Sequence, residues 1–177
     1  MSSPRYELGV IPALSDNYVW MLHCVQTGTV AIIDPAVDQP VLKACENVGW
    51  TPSMILNTHW HPDHVGGNLG IKQASGCEVW GPAAEADRIP GIDHQLREGD
   101  RVSVGKLEAV VWEVPGHTLG HIAYYFEASG LLFIGDTLFA MGCGRLFEGT
   151  AEQMFGNMQR LRTLPDDVFV YAAHEYT

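Results

Sequence analysis

Two β-sheets packed together beneath outer helices, an α+β arrangement, is the fold class this sequence predicts. Three observations carry it: short β-rich runs joined by tight turns, amphipathic segments of helical period between them, and no repeat or Pro/Gly-rich linker that would divide the 177 residues. Residues 1–177 therefore read as one domain, long enough to bury a real core.

The elements follow in order. Val19 to Val25 and Thr29 to Ile33 are apolar runs separated by Gln26, Thr27 and Gly28, the signature of a hairpin, and Asp34-Pro35 stops the second strand. Pro40 opens a helix with Val41, Leu42, Cys45 and Val48 on one face, ended by Gly49. Met54 to Leu56 is a short buried strand, and a second helix runs from near Gly67 to Gly76. Glu78 to Trp80 is a brief strand, Asp87 to Asp100 reads as loop, and Val102 to Val104 with Leu107 to Val114 forms a hairpin around Gly105. His121 to Phe126 and Leu131 to Ile134 are strands split by Ser129-Gly130. Thr150 and Gln153 spell a capping box for a third helix with Met154, Met158 and Leu161 inward, and Val168 to Ala172 is a last strand running into His174.

Composition narrows the partners. Ten Lys and Arg face 21 Asp and Glu, a formal charge of −11, which argues against nucleic acid or an anionic membrane as the main partner. Bound cations would reverse that sign locally, so a small anionic substrate stays compatible with the acidic whole. Cys24, Cys45, Cys77 and Cys143 form no CxxC pair and read as reduced thiols of a cytoplasmic protein. Met1 to Tyr6 lack the apolar stretch of a secretion signal, and no run approaches the roughly eighteen apolar residues of a membrane span.

The chemistry is densest at Thr58-His59-Trp60-His61-Pro62-Asp63-His64, where four candidate ligands follow a buried strand directly. Imidazole nitrogen and carboxylate oxygen suit zinc and similar metals, and a bend near Pro62 would send one pair of these ligands to each of two ions. His117, Asp136 and His174 each follow an apolar strand, where sites gather. Singly, each has an ordinary alternative as a hydrogen-bonded histidine or a turn-capping aspartate. His23 and His94 belong to no such set.

The sequence resembles the metallo-β-lactamase superfamily and, within it, hydroxyacylglutathione hydrolase, also called glyoxalase II. The matching blocks are Ala13 to Tyr18, Thr58 to His64, Gly116 to His121, Gly135 to Phe139, Gly142 to Gly149 and His174 to Thr177. The resemblance implies a four-layer αβ/βα sandwich. It implies two divalent metal ions, zinc first with iron or manganese as alternatives, one held by His59, His61 and His117 and the other by Asp63, His64 and His174, with Asp136 bridging. His121 is a neighbour of the ligands in the family and not one of them. Two ions about 3.5–4 Å apart activate a shared water for attack on a carbonyl, and Asp63 would orient the resulting hydroxide.

The implied substrate is S-D-lactoylglutathione, a methylglyoxal detoxification intermediate cleaved to D-lactate and glutathione. Arg145 and Tyr176 match positions that contact the glutathione portion, and Phe147 stands where some members carry tyrosine. A surface ion pair with Glu148 or a neighbour is the plainer role for Arg145. Family members continue past His-Glu-Tyr-Thr into a helical C-terminal domain that completes the glutathione pocket, and that domain is absent from residues 1–177. Two other readings share the motifs: a mononuclear iron persulfide dioxygenase, and a truncated metal-binding fragment with little native activity.

Overall fold

A computed structural model describes residues 5–177. The leading Met1 to Pro4, part of the stretch read for a secretion signal, lie outside the described residues. The elements are β1 (Tyr6–Ala13), β2 (Asn17–Cys24), β3 (Val30–Ile33), α1 (Gln39–Val48), β4 (Met54–Leu56), α2 (Pro62–Val65), α3 (Asn68–Ser75), β5 (Glu78–Pro82), β6 (His94–Leu96), β7 (Arg101–Val104), β8 (Leu107–Glu113), β9 (Ile122–Phe126), β10 (Leu131–Gly135), β11 (Leu138–Phe139), β12 (Gly142–Cys143), α4 (Ala151–Leu161) and β13 (Phe169–Ala172). They build one sheet in the order β1-β2-β3-β4-β5-β6 and another in the order β13-β10-β9-β8-β7.

The two sheets meet over a core to which Leu22, Ile33 and Leu56 contribute from one side and Val104, Leu107, Tyr124, Phe126 and Phe133 from the other. Behind the first sheet, Val19, Ile32, Ile55 and Val79 pack against Val41 and Cys45 of α1 and Ile71 of α3. Leu132 and Ile134 on the back of the second sheet take Leu161 of α4. The result is the four-layer sandwich, helix outside sheet on both sides.

Local signals act as read. Gly49 ends α1 in the left-handed region at φ 73°, where a residue without Cβ pays no steric penalty. Thr150 and Gln153 form a reciprocal capping box on α4. The four cysteines are free, three of them buried.

Three parts differ from expectation. Tyr6–Ala13 is a full strand, β1, paired antiparallel to β2 along its length; as an edge strand it is only half-buried and lacks a clean apolar alternation. The stretch from Asp87 to Asp100, read as loop, contains β6, three residues paired parallel to β5, and a 3-10 turn over Ala83–Arg88 precedes it. A three-residue edge strand is too short to display a period. Last, α2 and the β11–β12 ribbon carry no sequence period either, yet α2 shapes the site.

Candidate metal centre

Four strand ends deliver the chemistry. The His-rich loop leaves β4, His117 follows β8, Asp136 follows β10 and His174 follows β13. Pro62 is the first residue of α2 and presets its φ. His61 stays extended at φ −57°, ψ 144°, while Asp63 and His64 turn into the helix. The bend at Pro62 therefore aims the two pairs in different directions.

Two clusters result. His59, His61 and His117 converge, with His61 Nδ1 at 3.0 Å from both His59 Nε2 and His117 Nε2. Asp63, His64 and His174 form the second, with Asp63 Oδ2 at 3.3 Å from each Nε2. Asp136 reaches both: its Oδ2 lies 3.2 Å from His117 Nε2 and 3.4 Å from His174 Nε2, and its Oδ1 lies 3.5 Å from His64 Nε2. All seven side chains named for the metals thus meet in one place.

Outer partners fix which ring nitrogen faces inward. A carbonyl or carboxylate oxygen only accepts, so His117 Nδ1–H donates to the Arg145 carbonyl at 2.7 Å, His174 Nδ1–H to Asp16 Oδ1 at 2.7 Å and His64 Nδ1–H to Asp34 Oδ2 at 3.2 Å. The Thr58 hydroxyl donates to Asp34 Oδ2 at 2.6 Å and so accepts from His59 Nδ1–H at 3.0 Å. In these four rings the Nδ1 proton is held outside and Nε2 is turned toward the other donors, while His61 turns its Nδ1 to them.

Asp34 is central to this. It is buried, its backbone is left-handed at φ 50°, and it also takes the Thr58 N–H at 2.7 Å. For a non-glycine residue that conformation costs on the order of 1 kcal/mol, which these charge-assisted hydrogen bonds exceed. Asn17 plays a comparable part for Asp63, its amide donating to Oδ2 at 3.0 Å and to the backbone carbonyl at 3.1 Å. Sequence reasoning missed Asp16, Asn17 and Asp34 as supports. Asp34-Pro35 reads as a strand stop, and Asp16 and Asn17 fall in the Ala13 to Tyr18 block without a role attached.

Electrostatics divide the clusters. Burial and the neighbouring imidazoles hold His59 well below its ordinary pKa, and burial with His117 lowers His61. Burial also opposes the charged form of His64 and His174, but their carboxylates win. Asp136, Asp34 and Asp63 lift His64 well above the usual range, and Asp136, Asp63 and Asp16 push His174 up to about 10. Asp63 and Asp136 are held far below the normal carboxylate range by the same contacts.

A divalent cation fits these donors. Asp136 Oδ1 is buried without a hydrogen-bond partner, and inward lone pairs about 3 Å apart repel unless a cation sits among them. His121 is different: its Nε2 accepts the Asp136 N–H at 3.1 Å and its ring stacks on His59 at 4.6 Å, so it supports the cluster from behind. Gly135 permits this approach, since a Cβ there would fall 2.5 Å from Thr58 Oγ1 and 2.6 Å from His121, and its φ is +55°. His23 beside Glu7 and His94 stacked on Trp80 lie outside both clusters.

The clusters floor a cavity of 580 Å³ walled by Phe139, Cys143, Arg145, Phe147 and Tyr176. Phe147 stands edge-on to His61 and His117, and the Arg145 guanidinium lies 5.5 Å from its ring. Glu148, the plainer partner expected for Arg145, pairs with Arg88 instead at 2.8 Å. Arg145 is left facing the cavity.

Comparison with known proteins agrees with this architecture. The pattern of the Metallo-beta-lactamase superfamily matches residues 15–174. A hydroxyacylglutathione hydrolase of Rhodospirillum rubrum is 57% identical over 94% of this chain and 65% of its own length. One from Methylococcus capsulatus is 54% identical over 97% of this chain and 67% of its own length. The chain thus spans about two thirds of the length of these curated relatives. The crystal structure of ETHE1 from Myxococcus xanthus superposes with a TM-score of 0.84 at 30% identity, covering 98% of this chain and 76% of that one. The chain belongs to the metallo-beta-lactamase superfamily and, within it, to the hydroxyacylglutathione hydrolase family.

Proposed function

We propose that this chain is a metal-dependent thioester hydrolase whose substrate is S-D-lactoylglutathione, cleaved by water to D-lactate and glutathione. The observation that carries the reading is the meeting of His59, His61, Asp63, His64, His117, Asp136 and His174 on the floor of a cavity whose wall presents Arg145 and Tyr176. The relatives' shared name supplies the substrate class.

In this reading His59, His61 and His117 would hold one ion and Asp63, His64 and His174 the other, with Asp136 within reach of both clusters. Zinc is the proposed metal, and the same donors accept iron or manganese. When bound, such a pair brings the pKa of a water toward neutrality and polarises a carbonyl as a Lewis acid. Asp63, steadied by Asn17, accepts a hydrogen bond from the attacking water and aims it at the thioester carbon. A thiolate leaves readily, since its conjugate acid has a pKa of about 8.5, so no strong general acid is required. Arg145 offers two parallel N–H groups to a glutathione carboxylate, and the Tyr176 hydroxyl a further hydrogen bond. Phe147 contributes a ring edge and no hydroxyl. Free buried thiols at Cys24, Cys45 and Cys77 accord with a cytoplasmic setting.

The test is to strip the protein with a chelator, reload it, and follow loss of thioester absorbance alongside metal content. Two ions per chain with hydrolysis that tracks loading is the expected result. Two ions without thioester cleavage, or a single iron with persulfide-dependent oxygen uptake, would overturn the proposal.

A further inference from the structure

Glu85 lies in the 3-10 turn after β5, is 1% exposed, and has no part in the chemistry above. A carboxylate so buried is costly unless its oxygens are satisfied, and both are. Oε2 accepts the Trp60 backbone N–H at 2.8 Å and Oε1 the Gly120 N–H at 2.9 Å, while the cation of Arg88 stands off at 3.9 Å. Trp60 is the residue between His59 and His61, and Gly120 lies in the turn that begins at His117. One carboxylate therefore ties together the two loops that supply the first cluster.

The same loops are tied again nearer the surface. Glu148 accepts the Trp60 indole N–H at 3.1 Å and the Leu119 backbone N–H at 2.9 Å, and Arg88 holds Glu148 while standing 4.4 Å over the Trp60 ring. Packing leaves no slack at the inner strut: a Cβ on Gly120 would fall 2.5 Å from Glu85 Cγ and 2.9 Å from Ala84 Cβ. Asp63 accepts its outer hydrogen bond from Asn17, and His64 and His174 donate theirs to Asp34 and Asp16; neither Glu85 nor Glu148 bonds to these three side chains.

We infer that Glu85, backed by Glu148, is a positioning residue of the first cluster alone, setting the spacing between the His59–His61 loop and the His117 loop and so the affinity with which those three imidazoles take a metal. The inference rests on the metal reading above. The physical reason is that backbone carries these rings, and a buried carboxyl group accepting one N–H from each loop is a short, stiff strut between the two backbones.

Glu85→Gln keeps the size and one acceptor but turns an amide N–H toward one of the two backbone N–H groups. In the full chain loaded with cobalt, chelator competition should show one of the two metals weakened about 10- to 100-fold and the other unchanged. The cobalt absorption bands should shift as well, a signature that a purely structural role would not move. Asp16→Asn, whose carboxyl group bonds to His174 and to no other member of the two clusters, should weaken the other metal, and the double variant should show both losses added. If Glu85→Gln fails to fold, Glu148→Gln carries the same expectation at smaller size. Equal weakening of both metals by Glu85→Gln, or unchanged affinities with an unchanged spectrum, overturns the inference. Fewer than two metals on the unaltered chain would instead sink the metal reading itself.

Discussion

His59 and His61 sit on a loop whose backbone is braced from outside, and His117 donates to a backbone carbonyl, whereas His64, His174 and Asp63 are each gripped by a polar side chain from another part of the chain. In the first half burial and neighbouring imidazoles lower His59 and His61; in the second half carboxylates raise His64 and His174. A half made of imidazoles alone needs accurate backbone spacing to gather its nitrogens, while a carboxylate-rich half needs partners that stop its charges from splaying apart. The contrast implies that damage to supports will be local to one half, except at the residues that touch both.

The largest effect is expected at such a residue. Asp136→Ala removes the carboxylate shared by both clusters, and turnover should fall by more than the roughly 100-fold typical of losing an outer partner. Metal analysis should show both sites impaired; intact loading of one site would break the comparison. Asp34→Asn comes next, since Asp34 reaches His59 through Thr58 and His64 directly. Loss of its charge-assisted bonds should cost about 2–3 kcal/mol, read as a lower Tm of the metal-free chain. Asn17→Ala frees Asp63 and should weaken one metal about tenfold while leaving the Tm nearly unchanged.

The smallest effect lies outside the clusters. Lys72 of α3 and the Val79 N–H hold the Asp93 carboxyl below its usual pKa. A pKa lower in the folded than in the unfolded state means stability that is present above the unfolded value, about 4, and lost as pH falls through the folded one. Asp93→Asn should therefore lower stability near neutrality by less than about 1 kcal/mol for so exposed a pair, read as a small drop in Tm, with the two proteins converging in acid. A change in metal affinity at Asp93→Asn would show that the halves are not insulated from the scaffold.

Much of the fold is legible in the chain because its signals are local. The Gly28 hairpin, the Pro40 start and Gly49 stop of α1, and the Thr150 capping box each need only a few neighbouring residues, and the apolar strands announce themselves by composition. Strands β1 and β6 escape because an edge strand, paired on one side and half in solvent, carries little pattern. The candidate metal donors are readable for a related reason: four of them are crowded into seven residues, His117, Asp136 and His174 each stand at the end of an apolar strand, and the family resemblance joins them into one set.

What only the tertiary structure decides is how those donors are held. Asp16 meets His174 across 158 residues of chain, Glu85 meets Trp60 and Gly120 from a turn that belongs to neither loop, and Asp34 acts through a backbone conformation that no composition reveals. By itself the sequence determined which atoms are able to bind a metal, since that is a property of side-chain chemistry. The folded chain decided which nitrogen of each ring is offered and how firmly, because a tautomer and a distance are set by partners, and partners are brought together only when the sheets pack.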